Sequence, residues 1–313
     1  MMGTTYPSVQ LPVQEGRQLF VHVAPLLQRA DLAFGNLEGA ICDGGETKKQ
    51  GKNSYAFRTP VQFALRLSEA GYNFLSLANN HTNDFGLSGI QSTMQSLDHI
   101  GIRYAGIAGM CETAQLQHHG LRIGVCAFGH NAYTLEHTDL ALVGRILKKL
   151  AAETDLVVVS FHGGGEGRNY RHLPQGQEIC YEENRGSLRE FAHFCIDNGA
   201  SLVYGHGPHV VRAVELYKNR FIAYSLGNFC TPYGMNLSGV SGYAPVVTVS
   251  MRADGTFLSG KIHSFIQYPG KGPRKDPSCR AAREIKTLTE QDVPNTPLRI
   301  REDGTMTRIS HKN

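Results

Sequence analysis

The chain has 313 residues, of which 41% are hydrophobic and 19% are charged, a composition that supports a full core and excludes a mainly disordered chain. Its 31 Lys and Arg residues against 27 Asp and Glu residues give a net charge of +4, too small a surplus over this length to indicate nucleic-acid binding. No apolar stretch reaches the ~20 residues of a membrane span, so the chain as written is expected to be soluble.

Short apolar runs alternate with amphipathic stretches over most of the chain, a pattern typical of α/β proteins. The predicted strands are residues 31–36, 73–78, 121–128, 155–161, 201–205 and 221–226. The predicted helices are residues 15–30, 60–70, 87–99, 140–152 and 183–198. Pro25 should kink or split the first helix, because proline cannot donate the backbone hydrogen bond that an inner helical turn needs.

The C-terminal part of the chain is predicted to be mainly β. Hairpins are expected around Asp254-Gly255 and around Asp303-Gly304, because Asp-Gly pairs suit tight turns. Residues 268–297 carry many Pro, Gly and charged residues and are expected to form a long excursion. We therefore expect one domain over residues 1–267, with the excursion and last hairpin, 268–313, packing on it.

Polar side chains with metal-binding chemistry follow four of the predicted strands. Ligands collect outside the carboxyl ends of strands in open α/β sheets, so these side chains should meet at one edge. Carboxylate, amide and imidazole groups suit manganese, iron or zinc better than soft copper sites. The residues are Asn36 and Glu38, then Asn79, Asn80, His81 and Asp84, then His162 and Glu166, and finally His206 and His209.

Each of these residues alone also has an ordinary structural interpretation. Asn79 and Asn80 are common turn residues, and Asp84 could cap a helix that begins near Leu87. A single histidine such as His162 at a strand end is more often hydrogen-bonded than metal-bound. Convergence at four strand ends favours the metal site over four independent structural roles.

Five segments in order resemble the CapA family of capsule and poly-γ-glutamate biosynthesis proteins. They are DLAFGNLEG, FRTPVQFALRLSEAGYNFLSLANNHTNDFG, VVVSFHGGGE, GHGPHVV and FIAYSLGNF, and together they span residues 31–229. That family is similar in fold to the calcineurin-like metallophosphoesterases. The resemblance implies an α/β fold in which two stacked sheets are flanked by helices, an α-β-β-α sandwich.

The resemblance also implies roles for the metal-binding candidates. Glu38 stands where the superfamily places an acidic ligand that bridges two metals, and Asn80 matches its amide ligand. His162 and His206 resemble ligands of the second metal, and His209 resembles a ligand of the first. The spacing GHxxH is one residue wider than the phosphoesterase GHxH and matches the CapA pattern. The implied cofactor is a divalent metal, manganese, iron or zinc, with two ions in a full-length form.

The remaining candidates are expected to act beside the metals. His81, grouped with Asp84, would contact phosphate and protonate the leaving oxygen. The residues expected to orient the ligands are Asn36, Asn79, Asp84, Glu166 and Asn228.

Two functions from different classes remain open at this point. The first is a metal-dependent hydrolase of phosphate esters, in which two ions would neutralise the phosphoryl oxygens during in-line attack. The second is a non-catalytic accessory protein that binds, exports or anchors an anionic cell-surface polymer such as polyglutamate, together with membrane-bound synthesis machinery. Either would act at the cell envelope if an upstream signal exists. Metal content and turnover of an aryl phosphate would separate the two.

The start of the chain carries a further expectation. Members of the family open with an apolar strand that ends in Gly-Asp, an aliphatic residue and Met, and that Asp would bind the first metal. The sequence MMGTTYPS resembles the tail of this motif, so a truncated form or a misassigned start codon is expected, with the first strand missing. Such a form should bind metal weakly and be catalytically poor. Reading the codons upstream of Met1 checks this.

Overall fold

The protein is α/β, as a computed structural model that describes residues 2–47, 49, 51 and 54–309 shows. The helices are α1 (Ala24–Leu27), α2 (Leu65–Ala70), α3 (Gly86–His99), α4 (Leu140–Glu153), α5 (Leu188–Asp197) and α6 (Arg280–Asp292). The strands are β1 (Phe34–Asn36), β2 (Ala40–Ile41), β3 (Arg58–Thr59), β4 (Phe74–Ser76), β5 (Arg103–Ala105), β6 (Thr113–His118), β7 (Leu121–Phe128), β8 (Leu156–His162), β9 (Ile179–Cys180), β10 (Glu183–Asn184), β11 (Leu202–His206), β12 (Val214–Tyr217), β13 (Arg220–Ala223), β14 (Val246–Met251), β15 (Phe257–His263), β16 (Phe265–Ile266), β17 (Arg274–Lys275), β18 (Leu298–Ile300) and β19 (Thr305–Arg308).

A six-stranded sheet forms the centre of the fold, in the order β12-β13-β11-β8-β7-β6. β7, β8, β11 and β13 run parallel, and the antiparallel β6 and β12 close the two edges. Every residue of β8 is buried, as expected for an apolar strand covered on both faces. The parallel register of β8 and β11 pairs His162 with His206, so both histidines lie at the same end of neighbouring strands.

Two further sheets stack on this one and complete the predicted sandwich. They are the parallel sheet β1-β4-β5 and the antiparallel sheet β14-β15-β19-β18. Phe34 of β1 packs against Tyr204 of β11 with ring centroids 6.3 Å apart, which joins the layers. On the other face of the central sheet, Phe191 of α5 packs against Phe128 and Phe161. The α-β-β-α prediction is confirmed.

The edges of β1 and β14 line one cavity. Among the described residues, β1 pairs only with β4 and β14 pairs only with β15. Between them lies a cavity of about 110 Å³ whose walls include Phe34 and Val246. That a first strand is missing from the fold stays a prediction.

Three helix predictions are wrong in extent, and the one at residues 60–70 is split into a 3-10 turn, Val61–Phe63, and α2. Residues 15–30 form a short 3-10 turn, Val13–Gly16, and the four-residue α1 instead of one helix. Glu15 has φ +53°, outside the helical region, and Pro25 lies in the first turn of α1, where proline is tolerated. The helix predicted at 183–198 begins only at Leu188, because residues Glu183–Asn184 pair with β9 instead.

The segment 268–297, predicted to be a long excursion, contains a helix, α6, that its composition did not indicate. Ala281, Ala282, Ile285 and Leu288 form a buried face at helical spacing, while the charged residues lie on the other side. The helix packs on β12 and β15, and β18 and β19 extend the sheet that β14 and β15 begin. The division at residue 267 stays a prediction, and residues 310–313 of the second part lie outside the described range.

Both predicted hairpins are present. The Asp254-Gly255 turn joins β14 to β15, and the Asp303-Gly304 turn joins β18 to β19. No helix in the described part of the chain has the length and apolarity needed to cross a bilayer.

Candidate metal centre

His162 and His206 lie side by side at the carboxyl ends of β8 and β11. Both ring nitrogens of His162 and the Nδ1 atom of His206 are buried and have no hydrogen-bond partner. Burial, and then the neighbouring imidazoles of His130, His209 and His206, hold the pKa of His162 well below its usual value. Burial and the charge of His209 lower the pKa of His206 to about 4. Both rings are therefore neutral at neutral pH, the form that binds metal.

His209 and Glu38 face each other at the same end of the fold. The Nε2 atom of His209 is 3.7 Å from the Oε1 atom of Glu38. Asn228 holds the other side of the ring, with its Oδ1 atom 3.0 Å from Nδ1 of His209. The amide nitrogen of Asn228 donates to the carbonyl oxygens of His209 and Ser241, so Oδ1 is left to accept from the ring. Nε2 of His209 therefore faces the Glu38 carboxylate, while Nδ1 is engaged by Asn228.

A chain of amides positions Glu38. Asn79 donates to Oδ1 of Asn36, and Asn36 donates to Oε2 of Glu38 at 3.3 Å. Asn79 is fully buried and also donates to the carbonyl oxygen of Leu37. The Oε1 atom of Glu38 and the Oδ1 atom of Asn80 are buried without a hydrogen bond. Both therefore have a free acceptor atom, as a metal ligand would.

His81 and Asp84 form a hydrogen-bonded pair. Nδ1 of His81 is 2.9 Å from Oδ2 of Asp84, and the amide of Phe57 donates to the same oxygen. Asp84 does not cap α3, so the alternative interpretation of this residue as an N-cap is wrong. Lys49, which the sequence did not single out, places its ammonium 2.6 Å from Oδ1 of Asp84 and 2.9 Å from Nδ1 of His81. One positive charge, that of Lys49, thus contacts both members of the pair.

A fifth imidazole lies beside the predicted ligands. The ring of His130 lies nearly parallel to that of His162 at 5.8 Å, and its Nδ1 atom is 3.3 Å from the His162 carbonyl oxygen. His130 follows the end of β7 by two residues, so the rule that selected the other strand ends could have found it. Glu166 forms an ion pair with Arg185 at 2.9 Å, and Arg185 also pairs with Glu183.

A buried ion pair holds the glycine-rich segment that follows β8. Arg212, with no exposed surface, bonds both carboxylate oxygens of Glu178 and donates to the carbonyl oxygen of Tyr170. Glu178 in turn accepts from the amide of Gly165. Arg212 therefore fixes the backbone next to His162, a role that no local sequence motif indicated.

The predicted ligands approach one another two at a time and do not form a compact cluster of three or more ligand atoms. In the described part of the chain, no three of Glu38, His162, His206 and His209 have ligand atoms that all lie within 4.8 Å of one another. The cavity between β1 and β14 reaches Glu38, His206 and Asn228. The assignment of these residues as ligands stays a prediction.

The burial of His137 should make the free energy of unfolding depend on pH. Burial, with the charges of His130 and Arg185 adding to it, lowers the pKa of His137 to about 3. Unfolding raises that pKa to its usual value of about 6.5, so between these values the unfolded chain binds more protons. The free energy of unfolding should therefore fall as the pH drops through this window. His137→Leu should reduce the slope by up to one proton, about 1.4 kcal/mol per pH unit, in urea titrations at several pH values. An unchanged slope would contradict the neutral state of His137.

Comparison with known proteins gives the same family that the motifs indicated. The family model described as "Bacterial capsule synthesis protein PGA_cap" matches residues 1–233. The chain is 25% identical to the capsule biosynthesis protein CapA of Bacillus anthracis, over 94% of this chain and 72% of the relative. It is also 25% identical to the PGA biosynthesis protein CapA of Bacillus subtilis, over 92% and 75%. A phosphatase from Mycoplasma pneumoniae shares the fold, with a TM-score of 0.50 and 13% identity over 85% of this chain and 92% of that one.

Proposed function

This chain belongs to the bacterial capsule synthesis protein PGA_cap family, and on that premise we propose that its cleft binds divalent metal and hydrolyses phosphate esters. The proposed reaction takes place at the cell envelope, during assembly of an anionic capsular polymer. The residues that would hold the metal are Glu38, Asn80, His162, His206 and His209. Manganese, iron and zinc all suit this mixture of oxygen and nitrogen donors.

One observation carries the proposal: the cleft buries several polar atoms that have no partner. They belong to Glu38, Asn80, His162 and His206. A buried donor or acceptor without a hydrogen bond costs about 1–3 kcal/mol, and four residues with this defect at one place are rare in a folded protein. Cations bound between neighbouring members of this set would satisfy these lone pairs, and the donor types fit a divalent metal.

The pairing of His209 with Glu38 supports the same conclusion. Nε2 of His209 and a carboxylate oxygen of Glu38 face each other at 3.7 Å, and a metal ion bound between them would take one ligand atom from each. Asn228 fixes the ring so that Nε2 keeps facing Glu38. Asn36 and Asn79 do the same for the carboxylate, so the two groups are positioned before any ion binds.

When bound, the metal would activate water for attack and neutralise charge on the phosphoryl oxygens. The chain's own contribution to the chemistry is the His81–Asp84 pair. Asp84 holds His81 through Nδ1, so Nε2 would face the departing oxygen and give it a proton when the His81 ring is doubly protonated. Lys49 balances the negative charge of Asp84 beside His81.

Metal analysis and aryl phosphate turnover, measured on the same preparation, test the proposal. Bound manganese, iron or zinc together with turnover that a chelator removes would support it. A cleft that stays free of metal and binds polyglutamate would instead indicate an accessory protein in polymer assembly. That outcome would overturn the catalytic proposal.

His81 can be tested separately from the metal. His81→Gln should lower aryl phosphate turnover by about a hundredfold, the lower end of what general acid catalysis contributes, with metal content unchanged. The expected loss is smaller for an ester with a very acidic leaving group, because that oxygen departs without a proton. Equal losses for both esters would assign His81 a role in binding instead.

A further inference from the structure

A second cluster of metal-binding side chains lies at the opposite end of the strands from the candidate metal centre. Asp31 precedes β1, His118 ends β6, and His119 belongs to the turn between β6 and β7. β7 begins beside this turn and ends near His130, so its eight residues separate the two places by about 26 Å. No role described above uses the three residues.

The ligand atoms of the cluster lie close enough together to share one metal ion. One ligand atom from each residue lies within 4.8 Å of the other two. Oδ1 of Asp31 is 3.2 Å from Nε2 of His118, and the rings of His118 and His119 are 4.1 Å apart between centroids. Ligand atoms around a zinc ion with bonds of about 2.0–2.1 Å are about 3.3–3.4 Å apart. Asp31 and His118 therefore already stand near the separation that zinc needs.

An unpartnered atom points to a ligand at this place. Nε2 of His118 is buried and makes no hydrogen bond, although the Asp31 carboxylate is 3.2 Å away. The two atoms are thus at hydrogen-bonding distance, but the angle between them does not suit a hydrogen bond. A metal ion that accepts the lone pairs of both atoms satisfies this arrangement.

The hairpin turn holds the two imidazoles in place. His119 and Gly120 have φ of +48° and +80° and form a two-residue turn, since His118 pairs directly with Leu121. Positive φ at His119 is unusual for a residue with a side chain, so the turn restricts where its ring can lie. The Asp31 side chain is 78% exposed, which leaves room for water as a fourth ligand.

We propose that Asp31, His118 and His119 form a zinc site that is independent of the cleft and joins the β6–β7 hairpin to the segment entering β1. Two imidazoles and one carboxylate are a donor set that zinc uses with water in the fourth position. The bound ion links the edge of the central sheet to the segment that enters β1, the strand that precedes Glu38.

Calorimetric titration of the folded protein with Zn²⁺ tests the site. His119→Asn is the first variant, because asparagine tolerates positive φ and keeps the turn. His118→Gln is the second and leaves the turn residues unchanged. Each should remove one equivalent of bound zinc or weaken it at least about tenfold, since even outer partners of a ligand contribute 10- to 100-fold.

Two further variants make the result specific. His172→Asn removes an exposed histidine that pairs with Asp292 at 2.9 Å but has no second imidazole, so it should leave zinc binding unchanged. His206→Gln changes the cleft, and the zinc ion bound by His118 and His119 should remain. Visible absorption of Co²⁺, which reports tetrahedral ligands, should lose the contribution of one bound equivalent with His119→Asn and keep its full intensity with His172→Asn. Zinc stoichiometry and affinity that stay at the wild-type level in both His119→Asn and His118→Gln would overturn the proposal.

Discussion

Replacing His162 by alanine should remove divalent metal from the cleft and lower aryl phosphate turnover by more than about a hundredfold, since loss of an outer partner alone costs 10- to 100-fold in affinity. His162 is the candidate ligand with both ring nitrogens buried and unpartnered, and it lies between His206 and His130. Elemental analysis of the purified variant measures the metal, and a chromogenic ester measures turnover.

A matched control separates this effect from general damage to the fold. His99 is exposed at the end of α3, and His99→Ala should change neither metal content nor turnover. The metal-free His162→Ala protein should unfold at nearly the temperature of the metal-free parent, because the substitution also removes two unsatisfied buried nitrogens. A variant that keeps full metal content would contradict the assignment of His162.

Arg212→Met should lower the free energy of unfolding by about 3–5 kcal/mol, the usual cost of leaving one partner of a buried ion pair alone. Arg212 is fully buried and Glu178 is 6% exposed, so water cannot compensate the carboxylate that remains. The carbonyl oxygen of Tyr170 loses its donor as well. Urea unfolding followed by circular dichroism measures the change.

The double variant Arg212→Met/Glu178→Gln should recover part of this loss, because no uncompensated charge is then buried. Lys218→Met breaks the exposed ion pair with Asp197 and should leave the urea midpoint unchanged. If Arg212→Met alone proved as stable as the parent, Glu178 would have to be neutral in the folded protein.

The central strands of the fold were predictable because local sequence determines them. Residues 121–128 form β7 to the residue, and the strands predicted at 155–161 and 201–205 shift by one residue to Leu156–His162 and Leu202–His206. Continuous apolar runs of this length between turn residues are typical of strands that are buried on both faces of a sheet. The helix prediction for residues 15–30 was wrong because tertiary contacts, and not local sequence, determine the structure there. The apolar residues Leu19, Phe20, Val23 and Leu27 pack into the core without forming a long helix.

The site was predictable only where residues follow strands. His162 and His206 could be placed together from the sequence, because parallel strands bring their carboxyl ends to one edge. Lys49 and Arg212 could not, because each reaches its partner through a loop contact that spans more than 30 residues of sequence. The periodicity of apolar residues along the sequence does not predict such long-range contacts.

Anomalous diffraction from crystals grown with Mn²⁺ tests the central claim most directly. The account predicts an anomalous peak in the cleft, within bonding distance of His162 and His206 and bordered by Glu38, Asn80 and His209. A cleft without an anomalous peak at saturating Mn²⁺, with only water between these side chains, would contradict it.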